Sequence, residues 1–122
     1  MQIVLLEDDA DAREAMAALL SLDLHEVRQA HDRASFLSVT SDLRSQAVIF
    51  DLNLNSEANG LSLVMDYQQR RHDAGLAPAR LIALSGSADQ AEIIAATSAP
   101  FPVHQRLAKP ADHATILAAL GG

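Results

Sequence analysis

Three acidic residues stand where short apolar runs of the chain end. Glu7 and Asp8 follow a run that closes at Leu6, and Asp51 follows one that closes at Phe50. Carboxylates that share a partly dry site repel one another, so they either raise a pKa or bind a cation, and an all-oxygen set suits Mg²⁺. A carboxylate can also attack phosphorus without a general base. Asp51 is therefore a candidate phosphoryl acceptor.

The same residues predict a metal site with few protein ligands, because magnesium keeps several of its waters. Asp8 and Asp51 are expected to bind the ion directly, and the backbone carbonyl of Asn53 could add a third oxygen. Glu7 could hold a coordinated water. The remaining coordination positions would be left for substrate.

A hydroxyl and an amine occupy comparable positions later in the chain. Ser85 follows the apolar run that ends at Leu84, and Lys109 follows Leu107 and Ala108. In phosphoryl transfer the protein mainly positions groups and neutralises charge on the phosphoryl oxygens. Ser85 and Lys109 could supply a hydrogen-bond donor and a cation for this purpose.

The elements that position these residues follow from hydrophobic patterning. Five short apolar runs predict five strands: Ile3–Leu6, a run around Val27, Ala47–Phe50, Leu81–Leu84 and Val103–Leu107. Stretches with helical spacing lie between them, including 12–19, 36–43, 61–67 and 93–94, the latter capped by Ser87 or Asp89, with a last helix opening at Pro110 or Ala111. This alternation predicts a (βα)5 fold of the flavodoxin-like type, with a doubly wound parallel sheet. Ligands bind at the carboxyl ends of such strands.

Composition indicates one globular domain over residues 1–122. Nearly half of the residues are apolar (49%) and 20% are charged, which argues against disorder and against a membrane span. The net charge of −7 makes direct binding of nucleic acid unfavourable. The chain has no cysteine, and its first residues lack the features of a signal peptide, so a cytoplasmic location is expected.

Four motifs in order, each after its own strand, resemble a response-regulator receiver domain of two-component signalling: Leu5-Leu6-Glu7-Asp8-Asp9 with Arg13, Ile49-Phe50-Asp51-Leu52, Leu84-Ser85-Gly86 and Lys109-Pro110. The resemblance covers the whole chain, and it is closest to receivers of hybrid histidine kinases or to single-domain regulators. The joint occurrence of the motifs is specific, whereas each motif alone is weak.

The resemblance implies that Asp51 takes a phosphoryl group from a histidine kinase or a histidine phosphotransfer protein. Glu7 and Asp8 correspond to the acidic pair that holds Mg²⁺ or Mn²⁺, Ser85 to the hydroxyl that moves toward the phosphoryl group, and Lys109 to the cation that pairs with it. A cis peptide bond before Pro110 is expected. The resemblance also implies self-phosphorylation from phosphodonors, autodephosphorylation, a conformational shift that regulates a partner, and room for a phosphorylation-linked dimer. Asp9 is expected to cap the first helix instead of binding metal.

Several positions depart from the family's pattern. Asn55 replaces a usual proline, Gly60 comes one residue late, and Arg106 stands where output-coupled members carry an aromatic switch residue. These departures leave open a degenerate receiver that acts only as an interaction module. The Asp51 nucleophile also leaves open a small-molecule phosphohydrolase of the haloacid-dehalogenase kind. The latter group has a second aspartate two residues after the nucleophile, where this chain has Asn53. The basic triplet 70–72 is expected to be a solvated helix end.

Overall fold

The computed structural model describes residues 1–52, 54, 60–86 and 99–121. Five strands form one sheet in which every neighbouring pair is parallel, in the order β2-β1-β3-β4-β5. Their bounds are β1 Gln2–Leu6, β2 Glu26–Ala30, β3 Ala47–Asp51, β4 Arg80–Ser85 and β5 Gln105–Ala108. The three central strands are the continuous apolar runs, because a strand covered by helices on both faces needs no polar side.

Four helices are described beside the sheet: α1 Ala10–Leu22, α2 Arg33–Val39, α3 Gly60–Asp73 and α4 His113–Gly121. The predicted flavodoxin-like (βα)5 architecture is confirmed. The additional helix predicted around residues 93–94, with its cap at Ser87 or Asp89, lies outside the described residues. No helix in the described ranges is both long enough and apolar enough to cross a membrane.

Alternate residues of the central strands point to opposite faces of the sheet and form two separate cores. On one face Val4 and Phe50 pack with Tyr67 of α3, and on the other face Ile3 and Ile49 pack with residues of α1 and α4. All of these side chains are fully buried. The two cores clamp β1 and β3 from both sides, so the ends of these strands form a rigid base for whatever follows them.

Side-chain oxygens mark the starts of three helices. The Asp9 carboxylate accepts a 3.1 Å hydrogen bond from the backbone N–H of Ala12, which confirms its predicted capping role at α1. Asp32 and Ser35 form a reciprocal capping box at α2. At the last helix the carboxylate of Asp112 accepts a 2.7 Å hydrogen bond from the N–H of Thr115.

Four local expectations were wrong. The fifth strand lies at Gln105–Ala108 and not at Val103–Leu107. The last helix begins at His113 and not at Pro110 or Ala111, because the carboxylate of Asp112 caps its first turn. The second helix ends at Val39, and Leu43 beyond it adopts a left-handed φ of 60°. Arg71, expected to be solvated, is only 8% exposed, since its guanidinium donates to main-chain carbonyls. Hydrophobic periodicity reports neither a cap made by one side chain, nor a left-handed residue, nor a tertiary contact such as that of Arg71.

The sheet order fixes where a site can form. From β1 the chain passes to β2 at one side of the sheet, whereas from β3 it passes to β4 at the other side. The strand order therefore reverses between β1 and β3, and their carboxyl ends flank a crevice. Glu7 and Asp8 follow β1, and Asp51 is the last residue of β3.

Candidate functional site

Three carboxylates meet at the crevice between β1 and β3. Glu7, Asp8 and Asp51 each offer one oxygen, and these three oxygens lie within 4.8 Å of one another. Glu7 is 7% exposed and Asp51 only 2%, whereas Asp8 is half-buried. No other group of three potential metal-ligating residues was found within the described ranges. The side chains singled out from the sequence thus converge, although Asp51 stands more than forty positions after the other two.

Lys109 reaches this cluster from the loop after β5. Its Nζ lies 2.5 Å from Oδ2 of Asp51 and 3.5 Å from Oε2 of Glu7. The Lys109–Pro110 peptide bond is cis, as expected from the sequence. One ammonium group therefore contacts two carboxylates from different strands and offsets part of their mutual repulsion.

Ser85 stands at the same edge of the sheet, at the end of β4, and is half-buried. Its backbone carbonyl accepts a 2.9 Å hydrogen bond from the N–H of Lys109, so the two residues share one main-chain anchor. The role of the Ser85 hydroxyl remains a prediction. Asn53, predicted to supply a backbone carbonyl to the metal, lies outside the described residues, as do Asn55 and Ser87.

Burial and the charges of the cluster together shift two pKa values. Burial is the largest cause of a raised pKa at the Glu7 carboxyl, and the negative charge of Asp51 adds to it, against the opposing effects of a backbone hydrogen bond and of Lys109. Burial alone would lower the pKa of the Lys109 amine, but its hydrogen bond to Asp51 and the charges of Asp51 and Glu7 together raise it. Lys109 is therefore a fixed positive charge across the physiological pH range.

The acidic pair is held in place by groups that the sequence pattern did not assign. The Nη1 of Arg13 donates a 2.9 Å hydrogen bond to the backbone carbonyl of Glu7. The Oε1 of Glu7 accepts a 3.1 Å hydrogen bond from the N–H of Asp9. Arg13 lies about one turn into the helix that Asp9 caps, so the start of α1 and the end of β1 form one hydrogen-bonded unit. The presence of Arg13 in the motif was a signal, but its partner was not readable from the sequence.

The donor set fits a small hard cation. Two or three carboxylate oxygens from separate elements, within a few ångströms of one another, are typical of a site that binds magnesium and leaves positions open for substrate oxygens. The cluster is net negative, because Lys109 compensates only one of three carboxylates. Glu7, Asp8 and Asp51 could therefore hold a divalent ion.

A cleft of about 520 Å³ opens beside this cluster, between α1 and α4. Glu7 and Lys109 line its polar end, and its other walls are mostly apolar, including Ala12, Met16 and Ile116. A wider depression of about 690 Å³ lies at the amino ends of the strands, and none of the three clustered carboxylates lines it. The chemistry therefore belongs to the cleft at the carboxyl ends.

Comparison with known proteins identifies the family. The sequence model described as the response regulator receiver domain matches residues 3–121. The chain is similar to the structure of a response regulator protein from Burkholderia pseudomallei with a phosphorylated aspartic acid, calcium ion and citrate. The TM-score is 0.81 and the identity 28%, over 98% of this chain and 65% of that chain. No curated protein sequence matches the chain significantly.

Two further structures have the same fold. The receiver domain of NtrX from Brucella abortus is 25% identical, with a TM-score of 0.78 over 98% of this chain and 95% of that one. A response regulator receiver domain protein from Clostridium thermocellum is 19% identical, with a TM-score of 0.81 over 98% and 90% of the two chains. The family match spans almost the whole sequence, and the acidic crevice described above lies within it. The chain therefore belongs to the family of response regulator receiver domains.

Proposed function

We propose that Asp51 accepts a phosphoryl group from the phosphohistidine of a histidine kinase or a phosphotransfer protein, in a reaction that requires Mg²⁺. Family membership implies a phosphoacceptor role in two-component signalling. The observation that carries the proposal for this chain is the position of the Asp51 carboxylate, which lies beside Glu7 and Asp8 and 2.5 Å from the Lys109 ammonium. The related protein from Burkholderia pseudomallei was solved with a phosphorylated aspartic acid and a calcium ion, which supports both the modification and the divalent ion.

The proposed transfer assigns each residue a separate task. An oxygen of the Asp51 carboxylate attacks phosphorus, the P–N bond of the phosphohistidine breaks, and its electron pair stays on the imidazole nitrogen. Lys109 and the Ser85 hydroxyl bind phosphoryl oxygens as charge moves onto them. Glu7, Asp8 and Asp51, with the backbone carbonyl of Asn53, would hold the magnesium ion. When bound, that ion neutralises phosphoryl charge and orients the group for in-line attack.

Access for the donor is supported by the cleft between α1 and α4. A phosphohistidine must approach Asp51 from outside the sheet, and the cleft's polar end at Glu7 and Lys109 adjoins the carboxylate. Its apolar walls could accept the side chains that flank the histidine on a partner helix. We propose further that residues 1–122 form one domain and that it acts in the cytoplasm, as the absence of cysteine favours.

We propose that phosphorylation causes a conformational shift that regulates a partner. A phosphorylation-linked dimer is one form that this regulation could take. Arg106 is exposed on β5 and forms no ion pair with any residue of the described ranges. A solvated guanidinium cannot rotate into an apolar pocket without a partner. The conformational shift is therefore expected to proceed without inward rotation of the side chain at position 106.

The test is phosphorylation of the wild type and of Asp51→Asn by acetyl phosphate and by a phosphorylated phosphotransfer protein, with and without Mg²⁺. Intact-mass measurement should show one added phosphoryl group on the wild type in the presence of Mg²⁺ only, and none on the variant. Asp11→Asn is a matched control, because it removes an exposed carboxylate from the first turn of α1. Absence of the modification in the wild type with both donors would favour the degenerate receiver that acts only by protein interaction.

A further inference from the structure

We infer that Gly60 positions the phosphoacceptor, because it is the point at which α3 rests directly on the backbone of Asp51. Gly60 is buried and is the first residue of α3. A Cβ atom added to it would lie 2.0 Å from the carbonyl oxygen of Asp51, 3.2 Å from its carbonyl carbon and 3.4 Å from Cδ2 of Phe50. The absence of a side chain at position 60 therefore allows the helix to start against the residue that carries the chemistry.

The clash cannot be relieved by a rotamer change, since the atoms met first belong to the main chain of β3. An ordinary contact between a carbon and a carbonyl oxygen is about 3.3 Å, so one methyl group requires a displacement of roughly 1.3 Å. The body of β3 is paired on both sides, but its pairing with β1 ends at Phe50 and Asp51 is paired only with β4, so the displacement falls on the last peptide unit of the strand. The N–H of Leu52, in the same peptide unit as the Asp51 carbonyl, donates a 3.0 Å hydrogen bond to the carbonyl of Leu84.

Displacement of this peptide unit would move the Asp51 carboxylate relative to its partners. The Lys109 ammonium and the acidic pair come from other strands, so they do not follow a shift of the end of β3. Near-attack geometry in enzymes tolerates little error, and a misplacement of about 1 Å can cost about 100-fold in rate. Gly60 is thus a positioning residue for the proposed reaction and touches neither donor nor metal.

The inference rests on the proposed function, and the experiment separates the two. Rate constants for phosphorylation by acetyl phosphate at saturating Mg²⁺ are compared for wild type, Gly60→Ala, Gly121→Ala and Val48→Ala. Gly121 is a helical glycine whose added Cβ would meet nothing within 4 Å. Val48 is a fully buried residue of the same strand as Asp51, so its truncation destabilises the protein away from the site.

Gly60→Ala should lower the rate constant by about 10- to 100-fold at equal folded concentration. Gly121→Ala and Val48→Ala should stay within about twofold of the wild type, although Val48→Ala lowers the melting temperature. The Leu52 amide resonance of Gly60→Ala should also shift, because its hydrogen bond to Leu84 is part of the displaced peptide unit. This NMR signature reports the local displacement and is not expected from general destabilisation.

Two results would overturn the inference while leaving the proposed function intact. One is a Gly60→Ala variant that is phosphorylated as fast as the wild type with an unshifted Leu52 amide. The other is a variant that fails to fold even with a stabilising osmolyte, since Gly60 would then be a general requirement for folding instead of a positioning residue. A wild type that is phosphorylated neither by acetyl phosphate nor by a phosphorylated phosphotransfer protein would instead refute the proposed function.

Discussion

Replacement of Lys109 by glutamine should destabilise the metal-free protein by about 2 kcal/mol at neutral pH. At an effective dielectric constant of about 20, unit charges at the observed 2.5 Å and 3.5 Å attract by about 7 and about 5 kcal/mol. Desolvation of the three groups offsets most of this attraction. Breaking a fully buried pair costs about 3–5 kcal/mol and an exposed one about 1 kcal/mol or less. The Lys109 side chain is 35% exposed, so its loss should fall between these limits.

The free energy of unfolding of Lys109→Gln should also depend more strongly on pH than that of the wild type. The pKa of Glu7 is already raised, first by burial and then by the charge of Asp51, and Lys109 opposes the rise. Without the ammonium group the pKa of Glu7 in the folded state should rise further above the unfolded-state value of about 4.5. The destabilisation should therefore grow as the pH rises from about 4.5 through the folded-state pKa. Magnesium should reverse part of it by supplying positive charge.

The assay is urea unfolding followed by circular dichroism at about pH 5 and at about pH 7.5, with and without Mg²⁺. Arg106→Gln is the matched control, because it removes one exposed cation from the preceding strand and changes the net charge equally. The control should change the unfolding free energy by less than about 0.5 kcal/mol at either pH. Equal stability of Lys109→Gln and the control in metal-free buffer at neutral pH would refute the electrostatic reasoning.

Three further outcomes are expected. Saturating Mg²⁺ should raise the melting temperature of the wild type by stabilising the folded state by about 3 kcal/mol at 100 times the dissociation constant, and Asp8→Asn should lose most of this gain in a thermal scan. Arg71→Met should cost about 2–4 kcal/mol in urea unfolding, because three main-chain carbonyls each lose one hydrogen bond, whereas Arg70→Met should cost less than about 1 kcal/mol. Burial and then the charge of Arg80 lower the pKa of His104, whose Nδ1 accepts from the N–H of Leu81. Stability present above about pH 6.5 should therefore be lost as the pH falls through the folded-state pKa, and His104→Asn should show a smaller loss between urea midpoints at about pH 7.5 and pH 5.5.

Much of the fold was readable from local pattern. Continuous apolar runs around Val4, Ile49 and Ile82 predicted strands buried on both faces, and the intervening helical spacing predicted parallel connections. Boundaries were less accurate. The fifth strand was expected at 103–107 and lies at Gln105–Ala108, and the last helix starts later than expected, since its cap is the Asp112 side chain. Such caps depend on one hydrogen bond and leave little trace in periodicity.

Strand polarity also made the acidic cluster predictable. In a parallel sheet every strand ends at the same edge, so residues that follow β1 and β3 must meet whenever those strands are neighbours. The sequence thus identified Glu7, Asp8 and Asp51 as one group and indicated Ser85 and Lys109 at the same edge. It also indicated Asp9 as a helix cap instead of a further member of that group.

The sequence alone determined how strands and helices alternate along the chain, the edge of the sheet at which the polar residues gather, and the chemistry that these residue types allow. Only the tertiary structure decided that Lys109 contacts both Asp51 and Glu7, that Gly60 rests on the Asp51 carbonyl, and that Arg71 is buried. The physical reason is that periodicity and strand direction act over a few neighbouring residues. Contacts between residues tens of positions apart depend on how helices and loops pack on the finished sheet, where a shift of about 1 Å makes or breaks them.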